Sequence, residues 1–406
     1  MRITRRFRAF ATLEFSYWFA VAAADYMVVL FQQNGFSSVQ IGSLNAVNSL
    51  VVIFSGPLWG MLADYWRSPR KAFVITMSAG AFLWMLLPLS MHIRLPFFAM
   101  GAPFILAAAS VFFRTPANSL QDTFMVQKCV FEGVNYSGVR SVGSFSFASF
   151  AIVLSLALPY IGVPSSFYIF AVLSIPCVLL MARESDVQLP NSPMPKIQKG
   201  QLKEHFALLF KDYYFLSFIG FAFFLNLSTS VSLGFLPFLI SEVGSDSSRY
   251  GLVSGFKAFI EVPALLMIGP LRKIFSLPVI IIIACFFYVA EYFFFAGAGG
   301  FVEIMIWSIL QGLGGGLLIG TATNYVYALS PPELTSTAQT IYASVCSLAA
   351  IVANIAAGIL INSRGVRFFY MVLCVETVVT ILFLLATLLI GRCILKKPLP
   401  PLALKR

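Results

Sequence analysis

Histidine is almost missing from this 406-residue chain, with only His92 and His205, and charged residues make up just 11% of it. An ordinary soluble domain carries roughly 25% charge. The six cysteines, Cys129, Cys177, Cys285, Cys346, Cys374 and Cys393, are scattered without CxxC spacing, and most sit in apolar stretches. That pattern offers neither a disulfide framework nor a metal site. No GxxxxGK[ST] loop is present, so the chain carries no ATPase of its own. With no histidine or cysteine cluster at membrane depth, neither an enzyme nor a cofactor is expected. No stretch shows a pore-filter signature or a ring of channel-lining charge.

Apolar residues are what the chain has in excess. AVILMFWYC account for 59% of it and the mean hydropathy is +0.88. A membrane-crossing helix needs about 20 mostly apolar residues, so roughly 240 of them make about twelve spans. This excludes a soluble enzyme, a secreted domain and a nucleic-acid binder. The expected fold is an all-α membrane protein, with spans near 10–33, 39–63, 71–92, 96–125, 138–161, 165–183, 213–241, 249–271, 277–297, 300–328, 335–361 and 367–391. The first span contains Glu14 and Asp25 and lacks a small-residue cleavage site, so it is not a cleavable signal.

The net charge of +11 is distributed for a membrane rather than for nucleic acid. Arg2, Arg5, Arg6, Arg8, Arg67, Arg70, Lys71, Lys128, Arg183, Lys196, Lys199, Lys203, Lys211, Arg272, Lys273, Arg392, Lys396, Lys397, Lys405 and Arg406 fall in segments alternating onto one side. Only Arg94, Arg249, Arg364 and Arg367 fall in loops on the other. The positive-inside rule then puts both termini in the cytoplasm, with the plasma membrane as the location. A basic rim facing anionic headgroups accounts for the excess charge.

The longest polar interval, 184–211, splits the spans six and six. It divides the chain into an N-terminal bundle (1–183), a cytoplasmic linker and a C-terminal bundle with a basic tail (212–406). The halves align under a gapless shift of 209 residues, which lays Gly42 on Gly251, Gly60–Asp64 on Gly269–Lys273, and Asp25–Phe31 on Gly234–Ile240. Duplicated six-span halves are a transporter architecture, with the site between them near the midplane.

Between spans two and three the chain reads Gly60-Met-Leu-Ala-Asp64-Tyr-Trp-Arg67-Ser-Pro-Arg70-Lys71. This resembles the signature loop of the major facilitator superfamily, a glycine, then an aspartate four positions on, then a basic cluster. Here the basic pair falls one residue late, and Ser68-Pro69 replace the usual glycine. The resemblance implies a gating role for Gly60, Asp64, Arg70 and Lys71. Gly60 would let two helices approach closely, Asp64 would cap a helix end or pair across the bundle, and Arg70 and Lys71 would anchor at the cytoplasmic face.

Charge near the bilayer centre costs about 3 kcal/mol on insertion scales, so intramembrane ionisable residues are functional candidates. These are Glu14, Asp25, Arg114, Asp122, Arg140, Lys257, Glu261, Glu291 and Glu376, of which Glu14 and Glu376 read as solvated near the interfaces. Asp122 lies eighteen positions before Arg140, and Gly143 three positions after it. That spacing resembles spans four and five of the galactoside/proton symporters and their oligosaccharide and nucleoside relatives. The resemblance implies that Asp122 and Arg140 hold solute hydroxyls and that Phe147 stacks on the solute. A guanidinium fork and a carboxylate suit a polyhydroxylated cargo. The alternative is an inter-helix salt bridge that only fixes the two spans.

Lys257 and Glu261 share one face of span eight, beside Pro263, which can kink it. Glu291 lies in span nine among Tyr288, Tyr292 and Phe293, and could take up and release a proton as water access changes. Buried bridges from Lys257 to either glutamate are the alternative. The symporters' tenth-span histidine and glutamate are absent from Leu310–Gly316, so Asp25, Glu261 or Glu291 must carry any proton coupling. Gln311 and Asn324 remain as neutral ligands, and Gly312–Gly316 would either pack span ten closely or gate it.

The reading is a proton-coupled symporter of a small polar solute, sugar- or oligosaccharide-like, acting as a monomer by alternating access. Drug/proton antiport is the alternative. Against it, the glycine-proline pair that twelve-span drug exporters carry late in span five is replaced by Ser155-Leu-Ala-Leu-Pro159. A non-transporting receptor or lipid scramblase on the same fold is the third class.

Overall fold

A computed structural model describes residues 5–93, 101–186, 211–330 and 335–396. Most of the expected linker, residues 187–210, lies outside these, together with Arg2, Arg94, Lys196, Lys199, Lys203, His205, Lys397, Lys405 and Arg406.

The described chain is all helical. In order it forms α1 (Arg5–Val21), α2 (Met27–Gln33), α3 (Ser38–Tyr65), α4 (Pro69–Leu86), α5 (Gly101–Glu132), α6 (Tyr136–Ile161) and α7 (Pro164–Arg183). After the linker come α8 (Tyr213–Ser232), α9 (Leu236–Glu242), α10 (Tyr250–Leu271), α11 (Leu277–Gly297), α12 (Phe301–Leu329), α13 (Thr335–Arg364) and α14 (Val366–Leu389). Among the described residues, ten stretches are long and apolar enough to cross a membrane. The expected count of twelve is therefore not reached on that criterion, and α4 and α5 are the two helices that miss it. Arg70 and Lys71 open α4, while Arg114, Asn118, Gln121 and Asp122 interrupt α5.

Local chemistry sets the helix starts. Ser37 and Gln40 form a reciprocal capping box on α3. Ser68 caps α4 ahead of Pro69, and Asp212 caps α8 through the Phe215 amide at 2.8 Å. Each such cap contributes about 1 kcal/mol. α5 runs past its hydropathic end at 125 because Lys128 and Glu132, in its last turns, are paired. Glu132 accepts from Arg6 at 2.9 Å, and Lys128 lies 3.4 Å from Glu184.

Two expected spans are broken. After α1 the chain passes through a 3-10 turn at Ala22–Ala24, and Asp25 (φ −88°, ψ 9°) and Tyr26 (φ −99°, ψ 14°) leave helical geometry. After α8 the chain breaks again around Gly234 before α9. Adding 209 to the bounds of α2 gives the bounds of α9, so the two breaks occupy matching positions. The register slips later in the chain. Residues 87–100 join α4 to α5, whereas only 298–300 join α11 to α12.

Contacts divide the chain into two units. The first comprises Met1–Gln188, Phe235–Phe259 and Asn354–Asn362; the second comprises Leu189–Gly234, Ile260–Ala353 and Ser363–Arg406. In the first, α4 packs on α5 and α7, α1 on α6 and α7, and α3 on α5. In the second, α11 lies between α12 and α14, and α14 also packs on α8. Lipid offers little hydrophobic drive between helices, so close contacts rely on small residues. A Cβ on Gly80 would lie 2.9 Å from the Arg114 backbone, and one on Gly314 would lie 3.0 Å from the Ala284 carbonyl. Gly316 meets α10 in the same way at Ala264 and the Glu261 carbonyl. These two glycines therefore pack the tenth expected span.

Candidate functional site

In the first unit, α5 and α6 bring Asp122 and Arg140 together. Arg140 Nε lies 3.9 Å from Asp122 Oδ1, with side chains 32% and 38% exposed. This pair is loose and partly exposed. Tyr136 Oη donates to Asp122 at 3.1 Å, and Arg140 Nη1 donates to Ser144 Oγ at 3.1 Å. The guanidinium carbon sits 4.2 Å from the centroid of the Trp18 ring. Trp18 in turn meets Phe147 edge to face, with centroids 6.2 Å apart. Phe147 thus stands beside the pair as expected, and Trp18 is an aromatic that the sequence reading missed. Its signal was position, one helical turn after Glu14. A guanidinium stacked on indole keeps its edge donors free for a ligand.

Asp25 lies at the α1 break. Arg114 and Lys257 act on it electrostatically within the same unit. Arg114 holds its guanidinium carbon 4.4 Å above the Trp84 ring, and its buried Nε makes no hydrogen bond among the described residues. Non-helical backbone at membrane depth is tolerated where it is buried in protein or lines a watery cavity. Tyr26 faces Tyr250 at 6.2 Å, and its hydroxyl occupies the space a Cβ on Gly251 would need. Neighbouring contacts tie the same unit together. Gln32 Nε2 donates to Ser241 Oγ at 3.1 Å, Ser155 Oγ to the Ser248 carbonyl at 3.0 Å, and Ser38 Oγ to the Gly358 carbonyl at 2.9 Å.

In the second unit the expected ligands are neutral. Gln311 is buried, and its Nε2 donates to Ser232 Oγ at 3.0 Å. Tyr370 Oη donates to the Ser232 carbonyl at 2.7 Å. Asn324 spends its amide on the Gly320 carbonyl at 2.7 Å. It stands thirteen residues from Gln311, about 20 Å along α12, so the two expected ligands do not share one site. Glu291 is fully buried on α11, where Tyr288 and Tyr292 couple to it electrostatically. Glu261 is half-buried on α10, a turn beyond Lys257. Glu376 is half-buried and accepts from Thr380 at 2.7 Å, in place of the solvated setting expected of it.

The signature loop is organised differently from its reading. A Cβ on Gly60 would meet nothing within 4 Å among the described residues, so no helix approaches closely there. Asp64 is exposed, and its backbone carbonyl accepts the Arg67 amide at 3.0 Å where Arg67 turns left-handed (φ 50°). Lys71 lies 5.6 Å from the Trp66 ring centroid. Asp186, just past α7, is the organising carboxylate. It accepts from Ser68 Oγ at 2.5 Å and from Arg70 Nε at 3.2 Å, while Arg70 Nη1 reaches the Ala182 carbonyl at 2.8 Å. Nothing local along the chain signals this, because Asp186 lies 116 residues beyond Arg70.

Residues 11–372 match the family described as the MFS_1 like family. The chain is 24% identical over 359 residues to the maltose permease of Geobacillus stearothermophilus, covering 88% of each. It is 22% identical over 348 residues to the uncharacterized transporter YwbF of Bacillus subtilis, covering 83% of each. Its fold resembles a structure of the nucleoside transporter NupG (TM-score 0.82, 17% identity, covering 94% of this chain and 99% of that one). It also resembles the D-xylose-proton symporter (TM-score 0.64, 13% identity, covering 93% and 95%).

Proposed function

Since the chain belongs to the MFS_1-like family of the major facilitator superfamily and is a multi-pass membrane protein, we propose that it is a proton-coupled symporter of a small polar solute. The cargo class is a sugar, an oligosaccharide or a similarly hydroxylated molecule such as a nucleoside. Support comes from relatives whose names carry maltose, nucleoside and xylose. The observation that carries the reading is the half-exposed Asp122–Arg140 pair stacked on Trp18 beside Phe147. At 3.9 Å the two charges leave room for a hydroxyl to accept from the guanidinium and donate to the carboxylate. The aromatic rings supply a face for the cargo's C–H surface. Gln311 and Lys257 serve as further polar ligands in this reading, whereas Asn324, about 20 Å from Gln311 along α12, does not. Drug/proton antiport gains no support from these relatives.

Coupling is assigned to the intramembrane carboxylates. Asp25 comes first, because it lies at the helix break and Arg114 and Lys257 act on it electrostatically. Glu261 and Glu291 are the alternatives that neutralisation separates from it. The bundles 1–183 and 212–406 act as a monomer, rocking about the site with both termini in the cytoplasm, and the loop carrying Gly60, Asp64, Arg70 and Lys71 gates the inward face. Each inward proton gains about 2.3 kcal/mol per 100 mV, enough for roughly forty-fold accumulation of a neutral solute.

The test is solute-induced proton movement in proteoliposomes, with maltose, D-xylose and uridine as probes. Wild type should alkalinise the outside medium with at least one of them. Arg140→Ala should lose transport by about tenfold or more, as a hydrogen bond from a charged group to the cargo is worth about 1.5–3 kcal/mol. Unchanged transport in that variant removes the Asp122–Arg140 pair from the cargo site.

A further inference from the structure

The sequence reading set Glu14 aside as a solvated residue near an interface, yet it is fully buried in the first unit. Its carboxylate faces the Gln121 amide and the Trp18 indole. Among the described residues, Glu14 is in loose contact with Gln121 and Trp18, and neither its oxygens nor their polar atoms reach good hydrogen-bonding geometry. Gln121 is also completely buried. A buried polar group without a partner costs about 1–3 kcal/mol. Several such groups pressed together are therefore a poor structural device in the state observed.

Gly143 makes room for the arrangement. A Cβ there would lie 3.0 Å from Glu14 Oε2 and would run into Trp18. The titratable and charged groups facing Glu14 come from every helix around it. They are Tyr17 on α1, Asp122 and Cys129 on α5, Tyr136 and Arg140 on α6, and Cys177 on α7. Arg140 is the one cation in that set, and it already leans on Asp122 at 3.9 Å. Two carboxylates sharing one guanidinium leave one uncompensated negative charge, which a single proton cancels. The Asp122–Arg140 contact is loose, and the guanidinium lies over Trp18, whose indole also neighbours Glu14.

We propose that Glu14 is a proton-carrying carboxylate of the Asp122–Arg140 site, alternating with Asp122 as the partner of Arg140. The proposal rests on the symport reading and deepens it. With the proton on Glu14, the carboxyl group donates to the Gln121 amide oxygen and Arg140 pairs with Asp122. In that protonated state Arg140 and Asp122 hold the cargo between them; once the cargo has left, Arg140 swings to Glu14 and the proton goes to water on the side then open.

Glu14→Gln keeps shape and neutrality but cannot release a proton. In proteoliposomes it should retain counterflow exchange of maltose, D-xylose or uridine within about twofold, while accumulation driven by an imposed pH gradient falls about tenfold or more. Glu14→Asp should restore part of that accumulation, and Arg140→Ala should lose exchange and accumulation together. The purified protein gives a readout that needs no cargo. The infrared difference spectrum between mildly acidic and mildly alkaline buffer should show a carboxylic C=O band that Glu14→Gln removes. Identical spectra for the two proteins, or wild-type accumulation in the variant, overturns the assignment. A wild type that moves no proton with any probe sinks the symport reading instead, and the infrared band still decides whether Glu14 titrates.

Discussion

At matching positions of its two halves the chain interrupts a membrane helix, once at Asp25 and once at Gly234. The first break presents a carboxylate to Arg114 and Lys257. The second presents only backbone, and an added Cβ there would meet nothing nearer than the Val231 carbonyl at 3.7 Å. A duplicated architecture has thus been given two chemistries. Every cation set within the expected spans (Arg114, Arg140 and Lys257) belongs to the first unit, with Glu14, Asp25 and Asp122. The second unit keeps carboxylates at Glu261, Glu291 and Glu376, and its hydrogen bonds run through Gln311, Ser232, Tyr370 and Thr377. Proton and charge handling are placed by this account in the first unit, and neutral recognition in the second.

The largest effect that would sharpen this contrast is at Asp25. Asp25→Asn should cut pH-driven accumulation by about a hundredfold while leaving counterflow largely intact, because only the charge has been removed. Loss of both in equal measure would make Asp25 a cargo ligand instead of a coupling group. Next comes the packing around the same break. Gly251→Leu forces a side chain into Tyr26 and the Ala151 carbonyl, at a cost of about 1–3 kcal/mol, and should lower the melting temperature. Gly60→Ala, with open space beside it, should leave melting unchanged.

Gln311→Ala removes one hydrogen bond to Ser232, worth about 0.5–1.5 kcal/mol. It should raise KM a few-fold with coupling stoichiometry unaltered. The smallest effect is at the second break, where Gly234→Ala should shift neither transport nor melting measurably. A marked loss of coupling there would mean that the two breaks share a role, and the contrast would fail.

How much of this could be read from the residues follows from what each feature depends on. The helical architecture and the 209-residue register depend on composition and spacing, both written along the chain, and α2 and α9 obey that register residue for residue. The breaks themselves were not legible. Ala22–Ala24 are good helix formers, and only the surroundings of Asp25 and Tyr26 show why the helix yields there. The Asp122–Arg140–Phe147 grouping was legible because its spacing lies within two adjacent helices. Trp18 joins it from α1 and Asp186 joins the signature loop from beyond α7, across long stretches of chain that periodicity does not connect. Glu14 was misjudged for a related reason. Hydropathy places a residue along a helix but not around it, and Gly143 is what lets the carboxylate lie buried against α6.

The most direct test of the division between the units is one protein in which Glu261, Glu291 and Glu376 are all changed to glutamine, reconstituted and tested for solute-induced alkalinisation of the medium. The account predicts that proton movement per solute stays at the wild-type value, since the first unit is untouched. Solute transport that continues without proton movement would put the coupling in the second unit and contradict it.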